Sequence, residues 1–216
     1  MNTNNKAVIT CDLVNSSKYS SHERQSVNER IIQFSNKWQK GKQAEYLFYR
    51  GDSLQGILEN PSEALRQALY LKSIIKSISL ETSKRSTEAD IRISIGIGTI
   101  DYTGNTLLDS DGPAFQYSGR TLDTLKQKGR TIALTTSDSK QNKVWDTILL
   151  LLEEVIKHWT ISSAEIIWRL IDGWSDKEIQ KDLKISQPAV SQRKKNASWE
   201  AIEKTILHYE EKFKKS

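Results

Sequence analysis

Cysteine is nearly absent: Cys11 is the only one in 216 residues. That excludes a disulfide framework and a cysteine-based zinc site. Cys11 itself reads as a small buried apolar residue. The three histidines, His22, His158 and His208, have no metal-ligand spacing. Long apolar runs are missing too. The longest unbroken aliphatic stretch, residues 148–152, has five residues, against about 20 needed to cross a bilayer. The opening Met-Asn-Thr-Asn-Asn-Lys has no apolar stretch of the kind a secretion signal carries. A soluble, cytoplasmic chain with no membrane partner is the expectation. Repeats and low-complexity tracts are also lacking. With 37% apolar and 27% charged residues, the chain is too apolar and too patterned for disorder. Its length allows one large domain or two small ones.

Glycine is scarce in one half only. Nine of ten glycines precede residue 143, and five of six tryptophans follow it. Glycine among alternating apolar residues points to strands and turns. Tryptophan at 3–4 spacing points to packed helices. A boundary is therefore expected near residue 143, giving an α/β domain over 1–143 and an all-α domain over 144–216.

In the first half, strands are expected at 7–14, 45–50, 54–58, 90–100 and 131–135. Helices are expected at 21–40, 62–79 and 113–126. Over 90–100, Ile91, Ile93, Ile95 and Ile97 alternate with Arg92, Ser94, Gly96 and Gly98, which reads as a half-buried strand. The order β-α-β-β-α-β-α-β contains the ferredoxin-like palm pattern, an α+β arrangement. In such a palm the first strand lies beside the hairpin. Asp12 and Asp52 would then meet at one end of the sheet. Paired carboxylates repel unless a cation sits between them, and oxygen ligands suit Mg²⁺ or Mn²⁺ with a bound triphosphate. Asn15, Ser16 and Ser17 would offer backbone N–H groups at a helix N-terminus, a nucleotide-phosphate cradle. The plainer alternative is two turn-forming aspartates.

Asp12-Leu13-Val14-Asn15-Ser16-Ser17 resembles the first metal motif of class III nucleotide cyclases, and Arg50-Gly51-Asp52 their second. Arg92 through Gly98 is similar to the strand that follows, and Gly112 through Arg120 to their last motif. The resemblance spans roughly residues 6–136 in motif order. It implies that Asp12 and Asp52 ligate metal, and that Gln116 and Arg120 take the places of the catalytic Asn and Arg. An active chain would be a purine or pyrimidine nucleotide cyclase, a phosphorus-oxygen lyase, built across a homodimer. Departures from the pattern are Gln116 for Asn and Phe48 at the base-selecting position. The phosphate lysine has only Lys140 and Lys143 as candidates. The chain is similar also to the SatD family, in which this core precedes a helix-turn-helix.

The second half should be all helix, at 144–159, 163–171, 176–183, 187–195 and 199–213. Within 162–198, Ser175-Asp176-Lys177-Glu178-Ile179 and Ser186-Gln187-Pro188-Ala189-Val190-Ser191 resemble the helix-turn-helix of response-regulator outputs and sigma factors. Val190 and Ala197 share a core-facing side. Ser191, Gln192 and Lys195 point the other way, and Gln187 opens the helix. Gln and Lys match base edges in the major groove, while Arg193 and Lys194 suit phosphates. The alternative is a helical bundle or a protein-contact module. The expected function is DNA-binding transcription control coupled to nucleotide binding, with a nucleotide cyclase or a non-catalytic dimerisation scaffold as alternatives. The net charge of +5 falls entirely before residue 144. Basicity in the second half is local: residues 184–199 hold four basic side chains and no acid.

Overall fold

The computed structural model describes residues 4–39, 44–49, 51–82 and 85–214. Among the described residues seven strands form: β1 (Lys6–Leu13), β2 (Ala44–Tyr49), β3 (Ser53–Leu58), β4 (Ser79–Thr82), β5 (Arg85–Glu88), β6 (Ile91–Gly98) and β7 (Ile132–Thr136). Among the described residues eight α-helices accompany them: α1 (Ser21–Gln39), α2 (Ala64–Lys76), α3 (Pro113–Lys128), α4 (Ser139–Lys157), α5 (Ile161–Ile171), α6 (Asp176–Leu183), α7 (Gln187–Asn196) and α8 (Trp199–Phe213). Among the described residues, no helix is long and apolar enough to cross a membrane.

Five strands make a mixed sheet in the order β2-β3-β1-β6-β7. β1 is central and antiparallel to both neighbours, while β6 and β7 run parallel around the α3 crossover. The hairpin β4–β5 stands apart as a second, two-stranded sheet. Sequence periodicity reads residues 77–79 as the end of α2. Instead, α2 stops at Lys76, and Ser79 begins β4.

The sheet is covered on both faces. Ala7, Ile9, Cys11, Ile93, Ile95 and Ile97 pack into the large core with α1, α2 and α4. The opposite face carries α3, with Val8, Ala114 and Phe115 in a smaller core. β6 is therefore not half-buried, as its alternation suggests: Ser94 is fully buried and Gly96 is buried beside it. The small residues let α3 come close. A Cβ on Gly96 would stand 2.1 Å from the Ala114 carbonyl oxygen and 2.5 Å from the Ser118 nitrogen. Thr10 Oγ1 donates to Ser118 Oγ at 2.9 Å across the same contact.

Residue 143, where composition changes, lies inside α4 rather than in a linker. Asp138 caps that helix, accepting from the backbone N–H groups of Lys140 and Gln141. Polar side chains over 137–143 read as a loop, but they form the cap and solvent face of the first turns. The helical half also shares its core with the sheet. Trp145, Leu149, Ile167, Ile206, Tyr209 and Phe213 belong to the same apolar cluster as Ile9 and Leu69. Tyr209 is fully buried and donates to the Pro61 carbonyl at 3.0 Å. Burial pushes its hydroxyl pKa well above the ordinary tyrosine value.

Candidate functional site

The candidate site begins where β1 ends. Asp12 pairs with Ser53 on β3 and with Arg92 on β6. The Leu13 N–H donates to the Asp52 carbonyl at 3.0 Å. The two aspartates therefore do share one end of the sheet. Gly51, at φ 74°, makes the turn before Asp52, a backbone that glycine adopts without strain. Arg50 of the same motif lies outside the described residues.

Each carboxylate already has partners. Lys126 Nζ lies 3.0 Å from Asp12 Oδ2, and Arg92 Nη1 lies 3.5 Å from Oδ1. The Asp52 oxygens accept from the Ser16 hydroxyl at 3.0 Å and the Ser53 hydroxyl at 3.1 Å. Two protein cations thus neutralise Asp12. Among the described residues, no group of three or more His, Cys, Asp or Glu side chains could hold a metal ion. With Asp12 engaged by Lys126 and Arg92 and Asp52 by two hydroxyls, a Mg²⁺ or Mn²⁺ ion held by these two carboxylates would have to displace the half-exposed Lys126 from Asp12.

The segment after β1 is anchored from below. Asp90 accepts the Val14 N–H on its backbone oxygen at 2.9 Å. Its carboxylate lies 2.7 Å from Lys72 Nζ, which also donates to the Ile91 carbonyl at 2.8 Å. Lys72 is fully buried. Burial holds its ammonium below the ordinary lysine value, with Asp90 opposing the shift. Burial likewise pushes the neighbouring Cys11 thiol up, and the Asp12 charge adds to it. Cys11 is therefore a protonated core residue.

The expected phosphate cradle is not a long-helix N-terminus. Asn15 is left-handed, and residues 16–18 form a single 3₁₀ turn. The helix α1 starts only at Ser21. Ser20 and Glu23 cap it reciprocally: the Ser20 N–H donates to Glu23 Oε2 at 2.7 Å, and the Glu23 N–H to Ser20 Oγ at 3.3 Å. Ser16 spends its hydroxyl on Asp52, and Ser17 is exposed.

Gln116 and Arg120 are exposed on α3. That helix starts beside Gly98 and ends with Lys126 on Asp12. At about 1.5 Å rise per residue, Arg120 lies about 9 Å and Gln116 about 15 Å back along the axis from Lys126. One chain does not bring them to the carboxylates. Lys140 and Lys143 are exposed near the start of α4, which follows β7 at the far end of the sheet. Sequence reading missed Lys126. The available signal was its place in the last turn of α3, over the strand ends.

A second group of candidates lies on α7. The helices α5, α6 and α7 close a small core of Ile166, Ile179 and Val190, with Leu183 and Ile185 against it. Ser175 caps α6 in a capping box with Glu178. Lys184, left-handed at φ 53°, turns the chain, and Ser186 caps α7. Val190 and Ala197 are fully buried. Ser191, Gln192 and Lys195 are exposed on the opposite side. Gln192 donates to Asn196 Oδ1 at 2.7 Å, within its own helix. Gln187 accepts from Gln180 at 2.6 Å. Arg193 pairs with Glu165 at 3.2 Å and Lys194 with Asp176 at 3.1 Å, so the two flank cations brace α7 against α5 and α6.

Comparison with solved structures finds similarity to the GGDEF domain of FimX from Pseudomonas aeruginosa. It has 12% identity and a TM-score of 0.43, over 62% of this chain and 82% of that one. A guanylyl cyclase domain of the RhoGC fusion protein from Blastocladiella emersonii is 20% identical, with a TM-score of 0.44, over 56% and 74%. Adenylate cyclases from Trypanosoma brucei in their monomeric state are 14% identical, with a TM-score of 0.45, over 56% and 69%. A comparison with curated proteins gave no match. The SatD family model matches residues 6–205, from the first strand through α7 and into α8, and the chain belongs to the SatD family.

Proposed function

We propose that this chain is a DNA-binding regulatory protein, in which α6 and α7 act as a helix-turn-helix and α7 enters the major groove. The observation that carries the reading is the division of α7. Val190 and Ala197 are fully buried, while Ser191, Gln192 and Lys195 are exposed together. A helix fixed on one side with amide, hydroxyl and ammonium groups on the other suits base edges: Gln pairs with adenine and Lys with guanine. Gln187, at the helix start, is placed to join them. Arg193 and Lys194 reach phosphates by exchanging Glu165 and Asp176 for the DNA backbone. Two copies on two half-sites are the natural stoichiometry for such a module.

In this reading the α/β part is regulatory. Nucleotide binding there would bring a divalent ion onto Asp12 and Asp52 only by displacing Lys126 from Asp12. The cyclase alternative needs Gln116 and Arg120 from a second copy. Product analysis with each nucleoside triphosphate at high protein concentration tests it, and a cyclic product would reinstate it.

For DNA binding, a duplex recovered by pull-down from the source genome serves as probe. Gln192→Ala should weaken its binding about tenfold in a gel-shift titration. It should also relax discrimination at one base position. Equal affinity of Gln192→Ala and the parent for every recovered duplex would remove the reading.

A further inference from the structure

A groove of about 590 Å³ lies where α7 hands over to α8, lined by Lys194, Lys195, Ser198, Trp199, Glu200 and Lys204. We infer that this groove seats a phosphate of the DNA backbone, with Lys204 as its cation. The inference rests on the DNA reading above and names a contact which that reading does not contain.

Three of the lining side chains are lysines from two different helices. Lys195 also stands on the exposed side of α7 with Ser191 and Gln192, so the groove continues the face that meets the bases. Lys194 pairs with Asp176 at 3.1 Å and joins the groove's positive charge when it exchanges that partner. Lys204 faces Glu200 at 2.7 Å, but both are largely exposed, at 74% and 81%. An exposed i,i+4 pair is worth a few tenths of a kcal/mol, so a phosphate oxygen can take the place of the carboxylate. Ser198, left-handed at φ 56°, breaks α7 from α8, and the first turn of α8 opens on the groove through Trp199, Glu200 and Ala201. Of the first-turn N–H groups, that of Ala201 donates to the Ser198 carbonyl at 3.1 Å, and those of Trp199 and Glu200, before it, have no acceptor earlier in the helix. They and the helix dipole favour an anion there. Half-buried Trp199 supplies a flat wall. Glu200 is the single acid on the rim. It competes for Lys204 and makes the contact adjustable.

The test is fluorescence anisotropy of the full chain on a labelled mixed-sequence DNA duplex, titrated from about 50 to 200 mM KCl. Lys204→Ala should lower the salt slope by about one unit. It should weaken binding about five- to tenfold at 0.1 M salt, equally on every sequence. Glu200→Gln should tighten binding by releasing Lys204. Lys212→Ala, an exposed lysine at the far end of α8, should leave the slope unchanged. If the parent binds but Lys204→Ala keeps its slope, or Lys212→Ala loses as much, the groove is not a phosphate seat. A parent chain that binds no duplex at all overturns the DNA reading itself.

Discussion

Gly96 shows how much one missing side chain decides. Its hydrogen lets α3 lie on β6 at a distance where any Cβ would strike backbone atoms of Ala114 and Ser118. Backbone cannot rotate away, so the whole helix must shift. Gly96→Ala should cost about 3 kcal/mol, read as a fall in the urea midpoint at unchanged m-value. Gly119 is the control. It sits in the same helix with nothing within 4 Å of an added Cβ. Gly119→Ala should therefore stabilise by about 0.5–1 kcal/mol. Equal effects at the two positions would contradict the close docking of α3. Asp12 teaches the converse at the same scale. Its position beside Asp52 follows from strand pattern alone, since β1 lies beside the hairpin. Its partners do not. Arg92 faces it through strand register, and Lys126 reaches it from a helix 114 residues later in the chain.

Among the elements, the helices of the second half follow closely from local chemistry. The helix α6 spans Asp176–Leu183, as Ser175 and the acidic first turn indicate. The Ser175 hydroxyl donates to Glu178 Oε2 at 2.7 Å and accepts the Glu178 N–H at 3.4 Å. Hydrogen bonds from the Ser175 hydroxyl and then its backbone N–H hold the Glu178 carboxyl below the ordinary range. A depressed carboxyl pKa stabilises the fold above the unfolded value and loses that contribution as pH falls through the folded one. Ser175→Ala should lower stability by about 1 kcal/mol at neutral pH. The gap to the parent should narrow from about pH 5 downward, as followed by thermal unfolding at several pH values. A gap constant with pH would show that the carboxylate takes no part. The hairpin β4–β5 illustrates the opposite case. Its residues carry no strong alternation, and the expected end of α2 ran into Ser79, the first residue of β4. Helix ends are set by competing hydrogen bonds, which composition records weakly.

At the scale of the whole molecule, the change in composition near residue 143 does not mark two separate cores. Trp145 and Trp159 pack into the same cluster as the strands. Arg66 on α2 holds Glu210 on α8 in a two-pronged ion pair and reaches the Ile171 carbonyl. The aromatic rings of Trp38, Tyr70, Trp168 and Trp174 continue from α1 to the segment before α6. Unfolding should therefore be a single cooperative event. Tryptophan fluorescence, which reports mainly residues 145–199, and far-ultraviolet circular dichroism should give coincident urea curves. Two separated transitions would mean that the helical half folds on its own core.

Periodicity by itself determined the α/β-then-helical order and the inward side of α7. Each depends on the spacing of apolar residues along one segment. Only the tertiary structure decided that the small-residue face of β6 is buried and that α4 runs through the compositional break. It likewise decided that Lys126 and Arg92 reach Asp12, and that Gln116 and Arg120 stand back along α3 from that contact. The physical reason is shared. Burial of a polar or small face depends on what packs against it, and that packing joins residues far apart in the chain.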